Sequence, residues 1–333
     1  MSTPFFIDHI AVDPPIVLAP MEGVTDRAFR TLVRSLGGCG LAVTEFVSSE
    51  GLTREIEASW RMAEIDPGEH PVSIQIYGRD PGRMAQAAAF CQGIGADIVD
   101  INLGCPSKTV TTGCAGSALM REPELAAEIF SAVFEAISIP MTVKMRLGWN
   151  HEQINAPKIA ERAVAIGAKM IAVHGRTKSD GYKGHSRWEM IREVKEAIDV
   201  PVLVNGDIIG PEQAWRALEL SGADGVMVGR AVMSDPWTLA RIACAFRGED
   251  FEDPSIEARR LALHGYLDRV EVDGHFDRKT LMRVKQVVGY FSKGLHQAAR
   301  LRKGVNLAAD FAGVRALVDE FFAFHELRWE VAL

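Results

Sequence analysis

The sequence predicts a (β/α)8 TIM barrel followed by a small C-terminal helical domain. Three observations carry that prediction. Eight short apolar runs each stop at polar or glycine residues, and alanine- and glutamate-rich stretches with helical spacing separate them. The repeat of roughly 25–40 residues, over a span of about 245, matches the usual size of the fold.

Taken in order, the run 16–19 stops at Pro20-Met21-Glu22-Gly23, and 41–43 stops at Thr44-Glu45. Run 72–74 reaches Gln75 and then Tyr77-Gly78, while 96–101 stops at Asn102-Leu103-Gly104-Cys105-Pro106. Run 141–143 reaches Lys144 and Arg146, and 170–173 stops at His174-Gly175-Arg176. The last two, 202–204 and 225–228, stop at Asn205-Gly206-Asp207 and Gly229-Arg230. Short, continuous aliphatic runs suit parallel strands buried on both faces. Polar residues at their carboxyl ends stand where this fold places its chemistry. Helices are expected between them, for example over 83–91 and 123–137.

The barrel is expected over residues 1–247. Arg247-Gly248-Glu249-Asp250-Phe251-Glu252-Asp253-Pro254, acidic and bounded by Gly and Pro, reads as a linker. Beyond it, residues 255–333 carry three apolar stripes at helical spacing: Leu263, Tyr266, Leu267 and Val270; Leu281, Val284, Val288 and Phe291; and Val314, Leu317, Val318 and Phe321.

With 333 residues and 47% hydrophobic content, the chain can bury a large core. No apolar run approaches the ~18 residues of a membrane span. Met1-Ser2-Thr3-Pro4 lacks a basic segment followed by an apolar core, so no signal peptide is expected. Five scattered cysteines form neither a disulfide framework nor a metal-spaced pair, so no metal is expected and a reducing cytoplasm is the economical location. No protein partner is evident.

A net charge of −7 argues against wholesale nucleic-acid binding. Yet residues 275–305 hold eight basic residues against Asp277 alone, a local +7 against −14 for the rest. Lys279, Arg283 and Lys293 point away from the Leu281/Val284/Val288/Phe291 stripe and are expected to face solvent; Lys285 lies in the same segment. Such a segment on an acidic protein localises attraction to a polyanion.

At the barrel mouth, the loops after the last two strands form the habitual phosphate site of the fold. Here they are Asn205-Gly206-Asp207 and Gly229-Arg230, and Arg230 offers a forked cation. Lys144 and His174 would face a ligand in the same cup, and Gln75 can both donate to and accept from a ring edge. A phosphate-bearing planar cofactor meets these requirements, and FMN meets them best. Lys144 would then stabilise the reduced anion.

The segments Ala19-Pro20-Met21-Glu22-Gly23-Val24-Thr25-Asp26, Asp100-Ile101-Asn102-Leu103-Gly104-Cys105-Pro106, Val143-Lys144-Met145-Arg146-Leu147-Gly148-Trp149, Val173-His174-Gly175-Arg176-Thr177 and Asn205-Gly206-Asp207-Ile208 resemble those of the tRNA-dihydrouridine synthases, in order and spacing. The resemblance implies a flavin-bearing barrel with a helical tRNA-binding domain. It also implies reduction of the C5–C6 double bond of particular tRNA uridines, with NADPH recharging FMN. Carried over by motif, Cys105 would be the proton donor to C5. Pro20, Met21, Glu22, Gln75, Lys144, His174, Asn205, Gly206, Asp207, Gly229 and Arg230 would hold FMN. Asn102 would help place the uracil and Glu45 would support the pocket; Arg146, Arg176, Lys279, Arg283, Lys285 and Lys293 complete the substrate-facing set. Cys114 departs from the commoner residue at its position and reads as incidental.

Two other chemistries suit parts of this pattern: a flavin-dependent reductase of a free pyrimidine base, and a lyase forming a Schiff base on Lys144. The basic helical segment argues against the first, and a flavin-coloured protein would exclude the second.

Overall fold

A computed structural model describes residues 3–274 and 276–330, apart from the side chains of 108, 109 and 326–330. The eight apolar runs form eight parallel strands: β1 (Ile16–Leu18), β2 (Leu41–Val43), β3 (Val72–Tyr77), β4 (Ile98–Leu103), β5 (Met141–Arg146), β6 (Ile171–His174), β7 (Val202–Asn205) and β8 (Gly225–Val228). Each pairs with the next, and β8 pairs with β1, so the sheet closes into a barrel. Strands β3, β4 and β5 extend past the predicted ends. Their inward polar residues stay in the hydrogen-bonded ladder, so Gln75, Asn102, Lys144 and Arg146 sit on rigid strands rather than loops.

Alternation along the strands sorts the side chains. Val99, Ile101, Val143, Val173, Val204 and Val226 face outward onto the helices. The inward positions change character from one end to the other. Leu41, Ile98, Met170, Leu203 and Met227 form an apolar lower layer, closed by Phe5, Ile7 and Val12. Those three come from an N-terminal antiparallel hairpin, Phe5–Ile7 with Ile10–Val12, that sequence reading missed. Above them the interior turns polar, with Gln75 beside Asp100, Asp100 beside Thr142, and Asn102 beside Lys144.

The outer helices include α1 (Arg27–Ser35), α2 (Pro81–Gly93), α3 (Pro123–Ala136), α4 (Ala156–Ile166), α5 (Arg192–Ala197), α6 (Pro211–Ser221) and α7 (Thr238–Arg247). Their starts are marked in sequence: Asp26 and Asp80 cap α1 and α2 through side-chain oxygens, and α2, α3, α4 and α6 carry Pro in the first turn.

Four helices follow the acidic stretch: α8 (Ile256–Asp273), α9 (Arg278–Phe291), α10 (Ala298–Leu307) and α11 (Phe311–Glu330). The three predicted stripes lie on α8, α9 and α11, with Leu281 and Leu317 half-buried and the others buried. Helix α10 was not predicted. Its short apolar edge, Ala298, Leu301 and Val305, is masked in sequence by Arg300, Arg302 and Lys303.

This bundle is tied to the barrel by charge and by aromatic packing. Arg27 on α1 pairs with Asp273 and Glu64, and Arg269 on α8 pairs with Asp66. The rings of Trp237 and Phe291 stand 5.1 Å apart. Two basic residues expected to meet substrate are turned inward instead. Arg283 does not face solvent: it lies against the barrel, donating from Nε to the Gly23 carbonyl at 2.8 Å and pairing with Asp26. Lys285 Nζ donates to the Asn306 and Ala308 carbonyls at 3.1 and 2.7 Å, satisfying the end of α10. Lys279 and Lys293 are exposed, as are Arg278, Arg300, Arg302 and Lys303.

Candidate active site

The carboxyl ends of the strands open into a cavity of ≈ 1080 Å³. Cavities that bind drug-sized ligands measure about 300–1,000 Å³, so this one stands at the upper end of that range. Pro20, Met21, Glu22, Gln75, Lys144, His174, Asn205, Gly206, Asp207, Gly229 and Arg230 all line it, with Cys105, Asn102 and Arg146.

Its floor is a hydrogen-bonded chain across three strands. Thr142 Oγ1 donates to Asp100 Oδ1 at 2.6 Å, Gln75 Nε2 to Asp100 Oδ2 at 2.6 Å, and Asn102 Nδ2 to Gln75 Oε1 at 2.6 Å. Gln75 therefore keeps one amide hydrogen and one lone pair for a ligand edge, in a fixed orientation. Asp100, which was not singled out as a site residue, anchors this chain. Burial pushes its carboxyl above the ordinary range, opposed by the bonds from Gln75 and Thr142 and by Lys144.

The thiol is held from both sides. Asn102 Oδ1 accepts from the Gly104 and Cys105 amides, both at 2.9 Å, and the Cys105 carbonyl accepts from Ser117 Oγ at 2.8 Å. Gly116 permits that approach, because a Cβ there would lie 2.8 Å from Val110 Cγ1 and 3.1 Å from the Cys105 oxygen. Phe46, Val110, Ala115 and Tyr77 pack around Cys105. Burial raises the thiol pKa; the Ser107 amide opposes this, the Glu22 charge adds to it, and Arg146 and Lys144 oppose it.

Burial, then the charge of Arg146, pulls the Lys144 ammonium down to about 8, with Asp100 and Cys105 opposing. It is still mostly protonated at neutral pH, and an anion placed beside it would raise it again. Burial, reinforced by Arg146, Lys144, Arg176 and Arg230, holds His174 well below 6.5, so the imidazole is neutral.

Opposite the thiol, Arg230 stands half-exposed, 3.2 Å from Asp207 Oδ1 and 5.1 Å from the Tyr182 ring centroid. Asp207 also accepts from Arg176 Nη2 at 2.6 Å and the Ser186 amide at 2.8 Å. A phosphate-bearing planar group fits these residues on two counts. His174 Nδ1 is buried with no hydrogen-bond partner among the described residues. Gly206, at φ +110°, holds the turn where a Cβ would meet Ser186 Oγ at 2.6 Å and His174 Cε1 at 3.1 Å, so only glycine lets the chain pack against the His174 ring that lines the cavity with it.

Arg176 is placed differently from its expected substrate contact. It is buried, and besides Asp207 it donates to the Lys183 and Gly184 carbonyls, which shapes the loop after β6. Arg146 is also buried; it donates to the Gly104, Thr177 and Gly181 carbonyls while still lining the cavity. Tyr182, Lys178 and His185 line the mouth and were missed, because they lie within the loop rather than at a strand end. Cys114 is part-exposed, with φ 54°, and does not line the cavity.

Comparisons with known proteins agree with this geometry. The family model described as "Dihydrouridine synthase" matches residues 17–325. A "Probable tRNA-dihydrouridine synthase" of Rickettsia conorii is 39% identical over 318 residues, covering 95% of this chain and 96% of its own. One of the same name from Rhodobacter capsulatus is 41% identical over 324 residues, covering 96% and 98%. The "tRNA-dihydrouridine synthase B" of Xanthomonas axonopodis pv. citri is 37% identical over 322 residues, covering 95% of each chain. The matched span takes in β1 to β8, every cavity-lining residue and the helices that follow, and the chain belongs to the dihydrouridine synthase family.

Proposed function

We propose that this protein reduces the C5–C6 double bond of uridines in tRNA, with FMN in the barrel mouth and NADPH as reductant. The observation that carries the reading is the Cys105 thiol lining the same large cavity as Gln75, Lys144, His174 and Arg230. When bound, FMN supplies the hydride that arrives at uracil C6, and NADPH restores it. Cys105 delivers the balancing proton to C5 and is reprotonated from solvent. Burial keeps that proton on sulfur at neutral pH, which suits a general acid.

Asn102 sets the height of the thiol through two amide bonds and leaves one amide hydrogen for the uracil edge. Gln75 would meet the flavin ring edge, Lys144 would supply positive charge toward the reduced ring, and His174 would offer its free ring nitrogen. Asn205, Gly206, Gly229 and Arg230 would hold the phosphate, and Pro20, Met21 and Glu22 line the same cavity. Asp207 acts by orienting Arg230 and Arg176 rather than by touching the phosphate, because two anions would repel. In this reading residues 1–247 are the catalytic barrel, 255–333 bind tRNA through exposed Lys279 and Lys293, and the enzyme works in the cytoplasm.

Arg230→Ala should weaken FMN retention. A charge-assisted contact contributes roughly 1.5–3 kcal/mol, and half-exposure places Arg230 at the lower end, about tenfold in affinity. Fluorescence titration of apoprotein with FMN measures it; unchanged affinity would remove Arg230 from the phosphate site. The whole reading is tested by incubating purified protein with FMN, NADPH and tRNA from cells lacking it, then mapping dihydrouridine. No dihydrouridine at any position would overturn it.

A further inference from the structure

We propose that Arg283 is a positioning residue: by gripping Gly23 it couples the seating of the C-terminal helices to the cavity wall that faces Cys105. The inference rests on the proposed uridine reduction and goes beyond it, since it assigns to a residue on α9 a task at the barrel mouth.

The Gly23 peptide is held at both ends. Its N–H donates to Glu45 Oε2, and its carbonyl accepts from Arg283 Nε at 2.8 Å. Arg283 also pairs with Asp26 and stands 3.6 Å from Glu45 Oε1. One guanidinium thus bonds a carbonyl and a carboxylate of the first loop and lies in ion-pair range of a carboxylate on the second, a task suited to its planar fork. Gly23 itself is exposed, at φ +72°, with nothing within 4 Å of where a Cβ would lie. The point is fixed by polar contacts: the bonds to Glu45 and Arg283, and the turn in which the Met21 carbonyl accepts from the Val24 and Thr25 amides. Immediately before it come Pro20, Met21 and Glu22, all lining the cavity.

That loop bears on the reacting group. The charged residues around Cys105 are Glu22 from the loop after β1 and Lys144 and Arg146 from β5. The two cations sit on a strand; Glu22 sits on the clamped loop. Releasing the Gly23 carbonyl loosens the loop that carries Glu22, which the Glu45 bond and the Met21–Thr25 bonds then hold alone, while the two cations stay on their strand. Arg283 therefore sets the distance between Glu22 and the thiol, and the shape of the wall a uracil would meet.

Kinetics of the holoenzyme with tRNA, and alkylation of Cys105 by iodoacetamide across pH, test this. If Arg283 positions the loop, Arg283→Ala lowers kcat about tenfold, within the hundredfold that a displacement of about 1 Å can cost. KM for tRNA and its salt dependence then change little, and the alkylation midpoint moves to lower pH, because the repulsion from Glu22 is relaxed. Arg283→Lys keeps the charge and can recover one acceptor, so it should restore part of kcat. A phosphate contact gives the opposite split, with KM and its salt slope altered and the alkylation profile unmoved; that result would overturn the proposal. If Arg283→Ala fails to fold, Arg283→Lys and Glu45→Gln carry the same two readouts, and a wild-type alkylation profile in both would equally overturn it. Wild-type enzyme that forms no dihydrouridine would overturn the underlying reaction instead, while the alkylation shift would still report on the clamp.

Discussion

Cys105→Ala should leave FMN bound and reducible by NADPH while uridine reduction slows by about 10²–10⁴-fold, the usual worth of a positioned general acid. Flavin absorbance under anaerobic NADPH and single-turnover dihydrouridine formation separate the two half-reactions. The pH profile adds a second signature. Burial raises the thiol pKa, so wild-type activity should persist to higher pH than a free thiol would allow and then fall as the thiol ionises. That alkaline limb should be missing from Cys105→Ala. Cys114→Ala should cost little under reducing conditions, because Cys114 does not line the cavity. Were the two variants to exchange behaviour, the acid would be Cys114.

Reversing exposed charges on the C-terminal helices should weaken tRNA binding nearly as severely. Lys279, Lys293, Arg300 and Lys303 are exposed, and among the described residues none of them forms an ion pair. If each neutralises one phosphate, changing all four to glutamate removes about 0.7–0.9 from the salt slope per contact. At 0.15 M salt that corresponds to a loss on the order of 10²–10³ in affinity. Flavin absorbance should not change, and stability should move little, because exposed charges contribute about 0–1 kcal/mol each. The measurement is the slope of log affinity against log salt. Equal slopes would place tRNA on the barrel-mouth loops around Lys178, Lys183 and Arg230 instead.

The barrel was legible because uninterrupted aliphatic runs bounded by polar residues leave a short strand little alternative, and all eight appear where expected. The cavity was legible for the same reason: residues at strand ends must converge once the sheet closes, and Gln75, Lys144, His174, Asn205 and Arg230 do. What failed depended on partners distant in sequence. A helical wheel shows that Arg283 points away from its own apolar stripe, but not that the loop after β1 lies across from it. Arg146 and Arg176 looked like free cations because nothing local reveals the main-chain carbonyls they hold. Asp100 was passed over because it lies inside an apolar run, where polar side chains are costly unless satisfied. Reading only the ends of runs hides any residue one pleat below.

The hairpin that closes the lower end of the barrel sets the timing of assembly. Phe5, Ile7 and Val12 are made before any of the eight barrel strands, yet they share a cluster with Leu203 and Met227, about two hundred residues downstream. Phe5 in fact packs against Gly225, the first residue of β8, where a Cβ would lie 2.8 Å from its ring. Until β8 has been made, these side chains have no complete site to occupy. Contacts of such long sequence separation form late and slow the search for the native state. The nascent barrel therefore spends most of its synthesis with an apolar hairpin exposed, and the last strand completes both the sheet and its stopper in one event.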